Sequence, residues 1–447
     1  MKKVLSLILA AVMICALFAG CATSGQPGNE SSNQPAGDSS KGSETKEATI
    51  TMWTFLDPTN TTNGRSIALA KMIEKFEKEN PGVKIQVEPQ DYLTMTAKFM
   101  AATTTNSAPD IIWCGRDELP GVLDANVLEP LENLFLGEWT SEEIADISDA
   151  YFDYGERDGK HYILALSKNA PLLYYRADLF EKNNLSVPTT WDELVEAAKI
   201  LTGKDEETGI SRYGLGQSFS TESTDSQAMS NMILAKQSLF DANGAANWTN
   251  DVAVDALDWT IKCIKEWGIT PEEAVNTTNE DLFLEFQAGK YAMFIGGGVR
   301  CASVKASASF DGNYVQLAKM PGGAPAVLDG WFVGVWAGSQ NKELAGKFLE
   351  TMYSPESDTL WVADGGQTPV RKSTLDSMNE FIDTDENRFL AVMVDAFADG
   401  WFPDNSNAYI GWKFDINQAA QNVLVENMTA PDALAATASD FNSRNKR

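Results

Sequence analysis

The chain has 447 residues and carries 63 Asp and Glu against 35 Lys and Arg, a net charge of −28. A surface this acidic repels nucleic acid and anionic lipid headgroups, which excludes both as electrostatic partners. A single histidine and scattered cysteines offer no His/Cys cluster for zinc, so neither a metal nor another cofactor is expected.

The chain opens on a basic start, Lys2-Lys3, followed by an apolar stretch from Val4 to Phe18 and the small pair Ala19-Gly20. This order predicts a secretory signal peptide over residues 1–20. The apolar run is shorter than the roughly 20 residues a membrane-spanning helix needs. Leu17-Phe18-Ala19-Gly20-Cys21 resembles a bacterial lipoprotein box, with Phe18 where Leu is usual. That resemblance implies that Cys21 is lipidated and becomes the mature N-terminus. Residues 21–47 are rich in Gly, Ser, Asn, Gln and Pro and predict a flexible linker; a coil of 22–47 spans about 30 Å. The expected location is the outer face of the cell membrane, with the lipid as the membrane contact.

The body, Ala48 to Arg447, exceeds what one core supports, so two or more lobes are expected. Ala48–Phe55 alternates β-formers and predicts a strand. Leu69, Met72, Ile73 and Phe76 recur at helical spacing, and Asn80-Pro81-Gly82 stops that helix. Val83, Ile85 and Val87 predict a second strand, Tyr92–Thr103 a helix, and Ile111–Trp113 a third strand. This βαβαβ order predicts a parallel sheet covered by helices, hence an α/β fold. Strands follow near Tyr162–Leu166 and Leu172–Tyr175. Thr190-Trp191-Asp192-Glu193 is a capping box opening a helix. Tyr291–Ile295 and Phe332–Trp336 predict further strands, and the last third is mostly helical. Cys114, Cys263 and Cys301 lack CxxC spacing and predict buried free thiols.

Several segments resemble the extracellular solute-binding proteins of ABC transporters, family 1, which includes maltose- and multiple-sugar-binding proteins. They are Ala108–Trp113, Leu172–Phe180, Val187–Leu194, Phe286–Phe294, Ser339–Ala345 before Phe348-Leu349, and Gly366–Arg371. The resemblance implies a two-lobed periplasmic-binding-protein-like fold of type II, with three crossovers and solute held between the lobes. The crossovers are expected near Ser167–Pro171, Phe286–Tyr291 and Ala326–Trp331. One lobe would then hold 48–168 plus 290–327, and the other 169–289 plus 328–447.

A sugar cleft needs aromatic platforms for the apolar ring faces and polar groups for the hydroxyls. Trp53 and Asp57 close the first strand, and Trp113 and Asp117 lie at the third. By resemblance, Asp117 matches a carboxylate that contacts sugar hydroxyls in maltose-binding relatives, Asn169 stands where they have an acidic contact, and Trp331 matches a ring-stacking aromatic. Trp361, Trp401, Tyr409 and Trp412 are further candidates. Arg371 is expected to be structural or at the rim, and Gly296-Gly297-Gly298 to bring backbone close to the ligand. His161 has no nucleophile motif beside it and reads as a surface strand residue. Asp383–Asn387 imitates a calcium loop, but Arg388 stands where glycine is required.

The resulting expectation is a lipid-anchored, monomeric, non-enzymatic receptor that delivers a carbohydrate, chiefly an oligosaccharide, to ABC permease subunits. Two alternatives stand beside it. One keeps the fold but binds a glycerol phosphate or a polyamine. The other is an extracellular glycosidase using a carboxylate pair.

Overall fold

The computed structural model describes residues 47–204, 209, 211–222, 227–403 and 411–445. The expected signal peptide, Cys21, almost all of the linker and Tyr409 lie outside the described residues. The strands, in chain order, are β1 (Ala48–Thr54), β2 (Val83–Pro89), β3 (Ile111–Gly115), β4 (Glu156–Arg157), β5 (Lys160–His161) and β6 (Ile163–Asn169). They continue with β7 (Pro171–Arg176), β8 (Gly203–Lys204), β9 (Ser211–Gly216), β10 (Tyr291–Gly297), β11 (Val315–Ala318) and β12 (Asp329–Val335).

Two five-stranded sheets organise the body. The first runs β2-β1-β3-β12-β6 and the second β11-β7-β10-β9-β8. In the first, β1 pairs in parallel with β2 and β3, with Met52 opposite both Val87 and Ile111. The segments between these strands form helices Gly64–Glu79 and Met95–Thr104, the right length for βαβ crossovers. Ile50, Met52 and Thr54 of β1 point into the core while the residues between them are less buried. Ile111–Cys114 of β3 is buried throughout, as a central strand covered on both faces must be. The Thr190 capping box forms, with reciprocal bonds between Thr190 and Glu193.

Strand β12 corrects the expected lobe boundaries. It inserts antiparallel between β3 and β6, so residues 329–335 belong to the first lobe rather than the second. Residues 290–327 move the other way: β10 pairs with β7 and β9, and β11 pairs with β7, all in the second sheet. The expected crossover at Phe286–Tyr291 is therefore a turn inside the second lobe, where helix Asn279–Gln287 packs on β10. The chain passes between sheets at 169–171 and again between Ala318 and Asp329. After β12, helices Lys342–Met352 and Pro355–Ala363 pack on Gly64–Glu79 in the first lobe. Helix Arg388–Ala398 packs on β11, which places the third passage between 364 and 387. Strand period tells which face of a strand is buried, not which sheet the strand joins.

Candidate functional site

The strand ends of both sheets face a cavity of about 440 Å³. The turns after β1, β2 and β3 supply Phe55 to Asp57, Gln90 to Leu93 and Gly115 to Glu118. From the second lobe come Asn279, Glu280 and Phe283 of one helix, Gly297 and Arg300 after β10, and Lys413 of helix Gly411–Leu424. Ligand sites in open α/β sheets lie beyond the carboxyl ends of strands, and this volume falls in the roughly 300–1,000 Å³ range of small-molecule sites.

Trp331 forms the aromatic wall. It is half-buried at the start of β12, with its ring 4.7 Å from that of Phe55 and 6.4 Å, edge-on, from that of Tyr92. Gly330 sets its position: φ is +154°, and a Cβ there would lie 2.5 Å from the Ser167 carbonyl oxygen. Gly297 is close to Asn169 for the same reason, since a Cβ would come within 2.8 Å of the amide nitrogen. Asn169 accepts from the Val299 backbone N–H at 3.4 Å.

Beside it, where β3 ends against the start of β12, the lining is ionic. Arg116 is fully buried, bonds to the Asp117 carboxylate, donates to the Leu328 carbonyl at 3.2 Å and lies 3.7 Å from Asp329. Lys413 reaches across from the second lobe to Asp117 at 2.7 Å. Burial opposes ionisation of Asp117, but the Arg116 and Lys413 charges outweigh it and hold the carboxyl well below the usual range. Farther round, Arg300 holds Glu280 by two bonds of 2.8 and 2.6 Å, and Tyr92 bridges the lobes by donating to Glu280 at 3.4 Å.

Asp57, Asp117, Asn169 and Trp331 thus meet at one cavity. The other described tryptophan candidates do not line it. Trp113 is fully buried beneath Phe55 and packs edge-on against Trp361, itself buried and donating to the Leu166 carbonyl at 2.7 Å. Trp53 faces β2 and donates to Glu88 at 2.8 Å. Trp412 is in the helical core of the second lobe, and Trp401 packs against that core while pairing with Val327. These tryptophans pack against a neighbouring strand or into the cores of the two lobes.

Arg371 is buried, bonding the Tyr353 carbonyl and, at 2.8 Å, Asp146. His161 is half-buried rather than on the surface: its ring stacks on Phe152 at 3.8 Å and Nδ1 lies 2.9 Å from Glu132. Cys114, Cys263 and Cys301 are buried and unpaired. Among the described residues no His, Cys, Asp and Glu side chains group to hold a metal, and no helix is long and apolar enough to cross a membrane. Arg65, Tyr92, Glu280, Arg300 and Lys413 line the cavity without any sequence signal. Each is a polar residue on a helix or turn, and only the packing of the lobes brings it to the site.

Glu118 gives the site a pH signature. Burial, with the neighbouring Asp117 charge, pushes its carboxyl up from an ordinary 4.5 to about 7. Between these values the unfolded chain has released the proton and the folded chain still holds it, so this group's contribution to stability falls as pH rises. Urea midpoints measured from pH 4.5 to 8 should therefore decline less steeply in Glu118→Gln than in the parent protein. Parallel profiles would show that Glu118 ionises without cost.

A family model for bacterial extracellular solute-binding proteins matches residues 71–389. A putative binding protein of Brucella abortus (strain 2308) is 26% identical over 380 residues, 80% of this chain and 85% of that one. In three dimensions the chain is similar to an ABC transporter solute-binding protein of Thermotoga lettingae bound with α-D-tagatose. That match has a TM-score of 0.74 at 23% identity and covers 89% of this chain and 99% of the other. It is similar also to an ABC substrate-binding protein of Listeria monocytogenes in complex with cycloalternan, with a TM-score of 0.72, 20% identity and the same coverages. These likenesses carry the two-lobed fold, and the family match spans more than half of the sequence: the chain belongs to the bacterial extracellular solute-binding proteins.

Proposed function

We propose that this protein is the receptor of an ABC importer, that its solute is a carbohydrate, and that Trp331 is the platform on which a sugar ring stacks. The observation that carries the reading is the half-buried Trp331 wall, braced by Phe55 and Tyr92, which lines one cavity together with charged and amide side chains. Apolar ring faces and hydroxyl edges ask for that combination. The structures it resembles include one bound with tagatose and one with cycloalternan, which agrees with a sugar as solute. Asp57, Asp117 and Asn169 would meet the hydroxyls. The receptor works as a monomer, hands its solute to the permease subunits and does not turn it over.

A thermal-shift screen against mono- and oligosaccharides tests this reading, since a ligand at 100 times its Kd stabilises by about 2.7 kcal/mol. A Tm rise with a saccharide that EDTA does not reduce and that is followed by no cleavage product is the expected result. Steady hydrolysis of a bound oligosaccharide would transfer the site to glycosidase chemistry. The Asp117–Glu118 pair would be its first suspects, although Asp117 is already held by two cations.

The lipid anchor belongs to the same proposal and rests on Leu17–Cys21 and the polar stretch behind it. Cys21→Ser should leave a folded body that is released from membranes or kept unprocessed, as fractionation would show. A variant processed and retained like the parent protein would remove the anchor.

A further inference from the structure

The cations of the cavity are not treated alike. Arg116 and Lys413 share Asp117, and Arg300 is held by both oxygens of Glu280. Arg65 lines the same cavity, and its guanidinium has neither a carboxylate nor a hydrogen-bond acceptor of the described chain as partner. It lies over the Phe55 ring at 5.2 Å, beside the Trp331 wall. The lining carboxylates near it in sequence are engaged elsewhere: Asp57 accepts from the Thr59 N–H and hydroxyl, and Asp91 from the Thr94 hydroxyl.

An unpaired guanidinium in a partly dry cleft is unfavourable to the fold. Burial first, and then repulsion from Arg300 only partly offset by Glu280, draw Arg65 down to about 10. It stays charged at neutral pH. With Glu280 committed to Arg300 and Asp117 shared by Arg116 and Lys413, Arg65 is the lining cation without a carboxylate of its own, while Asp57 and Asp91 keep their charges on the same cavity, bonded only to neutral threonine groups. The start of helix Gly64–Glu79, where Asn63 caps the Ser66 N–H, adds to the positive potential. Hydroxyls of a neutral sugar would satisfy the N–H donors but leave the charge standing. An anion satisfies both, in the bidentate geometry that arginine prefers.

Resting on the carbohydrate reading above, we infer that the solute carries a negatively charged group, a carboxylate or a phosphate, which docks on Arg65 beside the Trp331–Phe55 wall. The rest of the solute lies along the aromatic face, so charge is read at one end and ring shape along the other.

Calorimetric titration of the whole protein with matched pairs tests this. The acids are galacturonate, digalacturonate, glucuronate and glycerol 3-phosphate. Their neutral partners are galactose, galactobiose, glucose and glycerol, with maltotriose and mannobiose added to the neutral set. We expect at least one acid to bind ten-fold or more tightly than its neutral partner. Arg65→Met should abolish that preference while leaving the urea midpoint equal or higher, because it removes an unpaired charge. Arg65→Gln is the second variant should the first not fold, and Arg65→Lys should retain part of the preference. Uronates and glycerol 3-phosphate separate the carboxylate from the phosphate. If the tightest ligand is a neutral sugar, or if Arg65→Met keeps the preference, the inference falls and the sugar receptor stands. If glycerol 3-phosphate binds and no saccharide does, the anion site stands and the carbohydrate reading falls. If none of these compounds binds, both fall.

Discussion

Trp331→Ala is expected to weaken saccharide binding by roughly 30- to 150-fold while leaving most of the stability in place. The ring is half-buried, lining the cavity between Phe55 and Tyr92 at the edge of the first lobe's core. Truncation would take away contact over one face of a sugar, with the aromatic term of ~0.5–1.5 kcal/mol added to lost area burial. A total of about 2–3 kcal/mol corresponds to that fold-change at 1.4 kcal/mol per factor of ten. Trp361→Ala is the counterpart. Its indole is fully buried against Trp113 and bonded to the Leu166 carbonyl, so removal should cost ~3–5 kcal/mol of stability. Calorimetry and urea midpoints on both variants decide the matter. A large midpoint drop in Trp331→Ala with unchanged affinity of the folded fraction would place that ring in the core and remove the platform.

The contrast between these two tryptophans shows what was legible from residue order. Strand and helix positions were, because Ile50, Met52 and Thr54 alternate and Leu69, Met72 and Phe76 repeat at helical spacing, and burial then follows period. The turns after strands were legible as sites, which is why Asp57 and Asp117 were named. Asn169 and Trp331 came from the family resemblance, and the structure places them at the same cavity. Sheet membership was not legible. Nothing in Asp329–Val335 says that it slots between β3 and β6, so residues 290–327 and 328 to about 363 each belong to the lobe opposite to the one expected, while the helices from Arg388 onward lie in the second lobe as expected. Tryptophan at a strand end was no guide either, since Trp53 and Trp113 turn into β2 and the core. The cross-lobe partners were the least visible. Lys413 meets Asp117 and Tyr92 meets Glu280 over sequence separations that no local pattern encodes.

Arg116→Met should be the most destabilising single change at the site, at about 3–5 kcal/mol, because it leaves a buried carboxylate short of its partner. The guanidinium and Asp117 are both almost completely sequestered, and Arg116 also serves Asp329 and the Leu328 carbonyl. Lys413 remains on Asp117 in the variant, which holds the loss to the lower end of that range. The pH dependence identifies the mechanism. Asp117 titrates below its ordinary value of 3.8 in the folded protein, so its stabilising contribution is complete above that pH and is lost as pH falls through the folded value. Without Arg116 the depression shrinks, and the gap in urea midpoint between parent and variant should be wide near neutrality and narrow toward pH 3. The double change Arg116→Met with Asp117→Leu should cost less than the sum of the two singles, since it removes the stranded charge along with its partner. Additive losses and a gap constant across pH would mean that Arg116 acts by filling space under the cavity, and the ionic wall would then contribute shape to the site and little charge.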